Sequence, residues 1–381
     1  MSDTLAHVYG SLLVVRPPVP ATVNKAGANY KSEVTHLEYS PRAAYDEWLS
    51  ICEGIRACGG DALFDFEEAD QPLLDVGDLE VDGDGAIHPV GSRDVLGHLD
   101  DVLTGRVFTA NGPWVTVRDR TVQAVLPHML AHRRPELPYY RALLERIADA
   151  GGYDLELIDN PHKWEGMADV AVVADKVILT YTVEGHYDAG VGPKTMRSSR
   201  EGVAFAADRA GVPDGARIYA ELVYPHFHGD TVHFGARPTN RGPVLMQYAG
   251  GLYGDGAARI AAAIGEANVV PITRADAVDA YAANSRQVLD GVLVPDGVSR
   301  GFLDSIAALG LTAHPVALYE LFGKAGGGPA CATLYLPTNV AVADTFPLRY
   351  SVRRDEAHAR RERIPARLTV APEYFEGKPR G

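Results

Sequence analysis

A helix-and-glycine pattern that recurs five times along the chain is the feature that most constrains its fold. In each copy, apolar residues at helical spacing end at a glycine, which suits the left-handed end of a helix, and a β-rich run follows. After the first gap, the glycines recur at intervals of 60, 54 and 45 residues. Such a period predicts one small structural unit per repeat. The five glycines are Gly59, Gly151, Gly211, Gly265 and Gly310.

Two strand-like runs lie between most of the predicted helices. They cover residues 106–110 with 115–117, 170–173 with 177–181, and 231–234 with 244–248. The unit is therefore strand, strand, helix, strand, and four copies fit between about Val107 and Val316. In a fifth copy, the final strand at 332–336 pairs with the N-terminal strand at 12–15, which leaves no open sheet edge. The sequence predicts an α/β ring of five modules.

No change of composition and no Ser/Pro-rich linker divides this ring, so residues 1–348 are interpreted as a single catalytic domain. Residues 66–91, rich in acid and glycine, are interpreted as an inserted surface excursion. Residues 349–381 form a basic C-terminal tail with nine basic and five acidic side chains. We interpret this tail as a solvated helix face in preference to a nucleic-acid arm.

Charge and cysteine content narrow the class of partner. The chain has 36 Lys and Arg against 50 Asp and Glu, and its net charge of -14 favours cationic small molecules over nucleic acid or anionic lipid. Three widely spaced cysteines form neither a disulfide framework nor a structural zinc site, so a functional cysteine here acts as a thiol. No apolar run approaches the ~18 residues that cross a bilayer. We expect a cytoplasmic protein without membrane or nucleic-acid partners, and a homo-oligomer is compatible with this sequence.

Two segments carry the strongest chemical signals. In GGGPAC, residues 326–331, glycines allow close approach of a ligand and place Cys331 at the mouth of a strand, as a nucleophile or as a structural thiol. In HFHGD, residues 226–230, His228 and Asp230 lie on one side of an extended chain and could orient an imidazole or hold a cation. The pattern His-x-His-x-Asp of this segment also begins a dinuclear zinc motif, but that motif requires histidine where this chain has Thr231. A zinc-dependent hydrolase is therefore kept as an alternative.

Weaker polar signals share the period of the repeat. Asp169 opens a buried-looking strand, where a carboxylate needs a partner, and Asn111 ends another predicted strand. Asn284 carries the weakest of these sequence signals. If five modules circle one axis, residues spaced 58, 61, 54 and 47 apart converge on one pocket. These residues are Asn111, Asp169, Asp230, Asn284 and Cys331.

In combination, these motifs resemble those of the guanidino-group modifying enzymes. This superfamily contains arginine deiminases, dimethylarginine dimethylaminohydrolases, agmatine deiminases, arginine dihydrolases and arginine amidinotransferases. The resemblance covers roughly residues 107–337 and implies a pentein fold, the five-fold pseudo-symmetric α/β propeller of strand-strand-helix-strand modules. The motifs are FTAN at 108–111, EGMAD at 165–169, HGDT at 228–231 and GGPACAT at 327–333.

The resemblance also implies roles for individual residues and requires neither a cofactor nor a metal. Two departures from the family pattern are Gly229, where an aliphatic residue is usual, and residues 24–29, which replace an asparagine-proline motif. The implied catalytic residues are Cys331 as nucleophile, His228 as general acid and base, and Asp169 and Asp230 as the carboxylates that hold a guanidinium. The candidate substrate-binding residues are Glu165, Asn111 and Arg197.

The chemistry of a guanidinium suits these residue types. The group is planar, cationic and weakly electrophilic, so carboxylates can hold its N–H groups while a thiolate attacks its carbon. We therefore predict a cysteine-dependent enzyme that acts on the guanidino group of arginine or a derivative through a covalent thiouronium intermediate. Hydrolysis of deiminase or dihydrolase type is favoured. The alternative is an amidinotransferase, which passes the amidino group to an amine.

Overall fold

The computed structural model describes residues 9–18, 38–64, 79–81, 86–89, 107–183, 197–321, 323, 326–362, 364 and 368–370. These residues form five three-stranded sheets, one four-stranded sheet and six α-helices. The helices α1 to α6 are Pro41–Ala57, Leu137–Gly151, Arg200–Arg209, Gly256–Ile264, Arg300–Ala308 and Tyr350–Arg361. The strands β1 to β19 are Leu12–Val14, Glu38–Tyr39, Asp61–Leu63, Leu79–Val81, Ala86–Pro89, Trp114–Arg118, Thr121–Leu126, Asp154–Asp159, Val170–Val173, Lys176–Tyr181, Arg217–Glu221, His233–Ala236, Val244–Gln247, Val269–Pro271, Arg286–Val288, Gly291–Pro295, Thr312–Val316, Leu334–Tyr335 and Leu368–Val370.

All five three-stranded sheets have the same topology. The central strand pairs antiparallel with one neighbour and parallel with the other, and a helix connects the two parallel strands. The sheets are β18-β1-β3, β6-β7-β8, β9-β10-β11, β12-β13-β14 and β15-β16-β17. The predicted strand-strand-helix-strand module is therefore confirmed in every copy.

The ends of the helices follow local capping chemistry. Ser40, Ser199 and Ser299 accept backbone N–H groups at the starts of α1, α3 and α5. Glycines with φ between 64° and 87° follow the first five helices, as predicted, with one correction. Helix α2 continues through Gly151, and its left-handed cap is Gly152.

The ring closes through the predicted pairing of the two ends of the propeller. Strand β1 pairs antiparallel with β18 in the register Leu13↔Tyr335 and Val14↔Leu334, and parallel with β3 on its other side. The side chains of Leu13 and Val14 are buried in two different apolar clusters. The fifth module is therefore built from both ends of the chain.

Two predicted strands are corrected by the structure. Within 106–110, Arg106 lies outside the described residues, and Thr109–Asn111 is a 3₁₀-helix. The partner of β6 is instead β7, joined through a tight turn at Asp119, whose φ is 54°. In the third module, Gly229–Thr231 is also a 3₁₀-helix, so the strand begins at His233 rather than Thr231.

These short helices belong to a repeated feature, which we call the site turns. Each site turn comes just before the first strand of its module, β6, β9, β12, β15 or β18. The same point of every module thus carries a bend, and the five bends hold the polar residues predicted to converge. The site turns are Thr109–Asn111, Gly166–Asp169, Gly229–Thr231, Ala282–Asn284 and residues 329–332.

Part of the basic C-terminal tail is attached to the ring. Helix α6 packs on α1, where Tyr45 donates to the carbonyl of Ala357 at 2.9 Å and Arg361 forms an ion pair with Asp46. Strand β19 joins β2, β5 and β4 in the four-stranded sheet. Within the proposed excursion at 66–91, only β4 and β5 are described. No helix among the described residues is long and apolar enough to cross a membrane.

We expect Leu13→Ala to lower the free energy of unfolding by about 2–5 kcal/mol, because the side chain is fully buried where the ring closes. The matched control is Leu289→Ala, since Leu289 is 54% exposed and should change stability by less than about 1 kcal/mol. Guanidinium denaturation of both variants measures the difference. Equal losses would show that ring closure depends little on this packing.

Candidate active site

Asn284 fixes the thiol of Cys331 in a buried position. Its Nδ2 donates to Sγ at 3.1 Å, while its Oδ1 accepts the backbone N–H groups of Cys331 and Gly328 at 3.0 and 2.9 Å. Asn284 also donates to the carbonyl of Asp230 at 3.1 Å. One side chain on the fourth site turn therefore determines the conformation of the fifth.

The glycines before Cys331 are required by close packing. A Cβ atom at Gly327 would lie 2.1 Å from the ring of Phe108, and one at Gly328 would lie 2.9 Å from Oδ1 of Asn284. Gly326 has φ of 81°, a conformation that other residues rarely adopt. The run of glycines thus brings the backbone against its neighbours and the thiol into the cluster.

The carboxylate of Asp230 is the nearest charged group to the thiol. Sγ of Cys331 donates to Oδ2 of Asp230 at 3.3 Å. Burial, together with this carboxylate, raises the pKa of the Cys331 thiol well above its usual value. Burial raises the pKa of Asp230 to about 6, although the nearby His228 opposes the rise. In this arrangement the thiol is protonated at neutral pH.

His228 is held between two carboxylates. Its Nδ1 lies 3.1 Å from Oδ2 of Asp169, and its Nε2 lies 3.1 Å from Oε2 of Glu165. Burial alone would lower the pKa of His228, but the two carboxylates outweigh it and raise this pKa to about 9. The ring is therefore an imidazolium at neutral pH, with both nitrogens donating.

The carboxylate of Asp169 is saturated with hydrogen bonds. Oδ1 accepts from Oγ1 of Thr180 and the N–H of Gly229, both at 2.9 Å, and Oδ2 accepts from Oγ of Ser198 at 2.5 Å as well as from His228. A Cβ atom at Gly229 would lie 2.3 Å from Oγ1 of Thr180. The glycine that departs from the family pattern is thus required by this contact.

Glu165 is buried with a compensating cation. Nη1 of Arg197 lies 3.1 Å from its Oε2, and the Arg197 guanidinium also lies 5.6 Å from the ring centre of Phe227. Burial disfavours the charge, yet Arg197 and His228 hold the pKa of Glu165 well below its usual value. Asn111 donates to the carbonyl of Glu165 at 3.1 Å, and its Nδ2 lies 3.2 Å from Nε2 of His228.

A buried ion-pair network supports the first site turn. Arg133 pairs with Glu136 at 2.7 Å and donates to the carbonyl of Phe108 at 3.1 Å. Arg16 reaches the same glutamate at 3.3 Å and lies 4.0 Å from the ring centre of Tyr140. The network fixes the chain immediately before Asn111.

The structure brings all seven predicted site residues into two linked groups. Cys331 and Asp230 form one, and Asn111, Glu165, Asp169, Arg197 and His228 form the other. The backbone joins them, because the N–H of Ala110 donates to the carbonyl of Cys331 at 3.0 Å and Asp230 follows His228 by two residues. Sequence reasoning undervalued Asn284, whose position in the period was its only signal, and it missed Thr180 and Ser198.

Among the described residues, no group of three or more His, Cys, Asp or Glu side chains is arranged to hold a metal ion. The histidines of the HFHGD segment point to different partners. Nδ1 of His226 lies 3.2 Å from Oγ1 of Thr231, whereas both nitrogens of His228 face carboxylates.

Comparison with known proteins identifies the fold. The chain is similar to the N-terminal domain of ArgZ, an arginine dihydrolase from the ornithine-ammonia cycle in cyanobacteria, in a cysteine-to-serine variant bound to substrate. The TM-score is 0.60 at 20% identity over 86% of this chain and 97% of that chain. A cysteine-to-alanine variant of AgrE with L-arginine has a TM-score of 0.60 at 20% identity, over 87% of this chain and 41% of that chain.

A third solved structure has a similar fold. It is the adduct of a histidine-to-glycine variant of dimethylarginine dimethylaminohydrolase with S-methyl-L-thiocitrulline, with a TM-score of 0.55 at 17% identity over 86% of this chain and 100% of that chain. No protein-family profile and no curated protein sequence matches the chain. The protein therefore has the pentein fold of the guanidino-modifying enzymes, as the sequence predicts.

We expect Asn284→Ala to lower the free energy of unfolding by about 1–3 kcal/mol, because two buried N–H groups lose their acceptor. The control is Asn240→Ala, which removes one hydrogen bond from an exposed asparagine and should cost less than about 1 kcal/mol. Urea denaturation of the two variants tests this. An Asn284→Ala protein as stable as the control would refute the positioning role of Asn284.

Proposed function

We propose that this protein is a cysteine-dependent hydrolase that acts on the guanidino group of arginine or a close derivative. The observation that carries the proposal is the contact between Sγ of Cys331 and Asp230, 3.3 Å apart, beside an imidazolium held by two carboxylates. A cation held by Asp230 lies next to the sulfur, and an acid is available nearby. These are the elements that attack on a guanidinium needs.

In this mechanism, Asp230 binds the substrate guanidinium and Cys331 attacks its carbon. The positive charge that arrives with the substrate offsets Asp230 and lowers the pKa of the thiol, so that the thiolate forms when substrate is bound. The carbonyl oxygen of Asn111 can accept a further guanidinium N–H. The burial of the thiol keeps it inert in the free enzyme.

His228 supplies the proton for the leaving group. As an imidazolium it protonates the departing amine, and as the neutral ring it then removes a proton from the water that attacks the thiouronium intermediate. Glu165 and Asp169 hold the ring from opposite sides. Four donors already occupy the carboxylate of Asp169. We therefore propose that Asp169 orients His228 and stabilises its positive charge instead of holding the guanidinium itself.

Hydrolysis is the favoured fate of the intermediate. Arginine dihydrolase and dimethylarginine dimethylaminohydrolase are among the proteins whose structures this fold resembles, at 17–20% identity. Incubation with arginine, agmatine and methylated arginines, with and without glycine as acceptor, followed by mass spectrometry, tests the reaction. Ammonia with citrulline or ornithine supports hydrolysis. An amidinated glycine would mean amidino transfer, and no reaction with any guanidino compound would exclude the proposal.

We expect Cys331→Ser to lower kcat by at least about a thousandfold, since a hydroxyl is a far weaker nucleophile at neutral pH. The control is Cys58→Ser, because Cys58 is a half-buried cysteine at the end of α1. The Cys58→Ser variant should keep the activity of the unmodified enzyme. Steady-state rates with the best guanidino substrate, with circular dichroism to verify folding, decide the matter. An active Cys331→Ser enzyme would contradict the role of the thiol.

The pH dependence of kcat/KM should be bell-shaped. Activity should rise as Asp230 ionises, around its pKa of about 6, and fall as His228 loses its proton, around its pKa of about 9. Asp169→Asn removes one negative neighbour of His228, so the alkaline limb should move down by about one to two pH units. Rates between about pH 5 and pH 10 measure both limbs. An alkaline limb that stays in place would argue against His228 as the acid.

A further inference from the structure

A cavity of about 40 Å³ lies between the site turns and the first strands of their modules. The first strand of each module starts directly after its site turn, so the strand residues extend away from Glu165 and His228, which precede the turns. The cavity is lined by Tyr9, by residues of these strands, and by site-turn residues that include Met167, Ala168, Gly229, Asp230 and Ala330. Glu165, His228 and Cys331 are not among the lining residues, so Asp230 is the reacting group that also belongs to the cavity wall. The lining residues that matter here are Tyr9, Asp230, His233, Arg286, Gln287 and Tyr335.

Polar atoms on the cavity wall have no hydrogen-bonding partner within the described part of the chain. His233 is 1% exposed, and neither Nδ1 nor Nε2 has a partner there; Oδ1 of Asp230 is in the same situation. Buried polar groups are generally bonded to protein or to ordered water. A space of about 40 Å³ holds roughly three waters, each of which needs about 10–15 Å³.

The proposed chemistry requires a route for the thiol proton. Both nitrogens of His228 already carry protons that face Asp169 and Glu165, so this ring cannot accept a proton before it has given one up. A bound guanidinium occupies the side of Asp230 that faces the reaction. The only acceptor within contact of Sγ among the described residues is Oδ2 of Asp230, at 3.3 Å. Asp230 also lines the cavity, and its Oδ1 has no hydrogen-bonding partner among the described residues.

We propose that the cavity binds a cluster of ordered waters. Together with Asp230 and His233, these waters carry the Cys331 proton away from the reacting groups. This inference rests on the proposed function. When the substrate binds, the S–H bond breaks as the proton passes to Oδ2 of Asp230; the thiolate electron pair then forms the S–C bond while the π pair of one guanidinium C–N bond moves onto its nitrogen. The carboxyl group then turns its protonated oxygen to a cavity water, and the proton leaves through the cluster.

The other groups on the wall suit such a relay. Burial lowers the pKa of His233 to about 4, so the ring is neutral and can donate one hydrogen bond and accept another. Arg286 is engaged with Thr333 and the carbonyl of Ala330 and lies 4.4 Å from the ring centre of Tyr335. Burial raises the pKa of Tyr9 to about 12, so that phenol stays neutral. Two of the lining residues, Gly235 and Gln287, are only half-buried.

The first test is the rate at which the covalent intermediate forms after rapid mixing with arginine. His233→Phe fills the space with an apolar ring and should slow this step at least about tenfold, with a larger solvent deuterium isotope effect and unchanged substrate affinity. His233→Gln keeps polar atoms at this position and should restore most of the rate. Formation of the intermediate at the unmodified rate in His233→Phe would overturn the proposal.

The matched control is His226→Phe. His226 is also 1% exposed, but it does not line the cavity, so its intermediate should form at the unmodified rate. Equal slowing in both variants would mean that the loss of any buried histidine has this effect, and would refute the relay. Turnover by the unmodified enzyme and its loss in Cys331→Ser test the proposed function separately.

A second measurement does not depend on variants. A crystal structure of the unmodified protein in which waters are resolved should contain at least two ordered waters within about 3.2 Å of His233 or of Oδ1 of Asp230. A dry cavity would overturn the proposal even if arginine is turned over. Waters that are present but lost in His233→Phe, together with slower intermediate formation, would support it.

Discussion

The pairing of β1 with β18 is the constraint on which the rest of the structure depends. The ladder has two residue pairs in register, yet it joins segments more than 300 residues apart in the chain. The pairing places the turn that contains Cys331 beside the other four site turns. Without it, Asn284 and Asp230 would have no thiol to contact. A short antiparallel ladder therefore determines whether the site exists at all.

Within the ring, the site is stabilised by matching buried charges. Glu165, Asp169, His228 and Arg197 are each at most 6% exposed, and each charge has an opposite partner within hydrogen-bonding distance. Two carboxylates and two cations balance formally when His228 is protonated. Such a group is costly to bury unless every member is paired, so the loss of any one leaves another unpaired. The protonation state of His228 is thus part of the packing of the site.

Periodicity predicted most of the fold because the same physical unit is repeated. The helices, their glycine caps and the closing strand all follow from apolar spacing and turn residues. The predicted strand at residues 106–110 is wrong because its last residues belong to a site turn. In that turn, side-chain contacts determine the backbone conformation. Thr109, for example, donates to the carbonyl of Val14 at 2.9 Å, a contact that spans 95 residues.

The polar partners of the site were the least predictable part. Ser198 and Thr180 bind Asp169 from segments with no motif of their own. Hydroxyl groups occur throughout the chain, and only the fold determines which of them meet a carboxylate. Asn284 had a position in the period but an ordinary local sequence. Its four side-chain hydrogen bonds arise only when three modules come together.

Ring closure from both ends of the chain also has a consequence for synthesis. Strand β1 leaves the ribosome more than 300 residues before its partner β18, and a contact between segments so far apart raises the contact order, which tends to slow folding. Cys331 belongs to the last site turn to be made. A nascent or truncated chain that lacks this turn has the carboxylates and the imidazole without the thiol, so the proposed reactivity would arise only once the ring is complete.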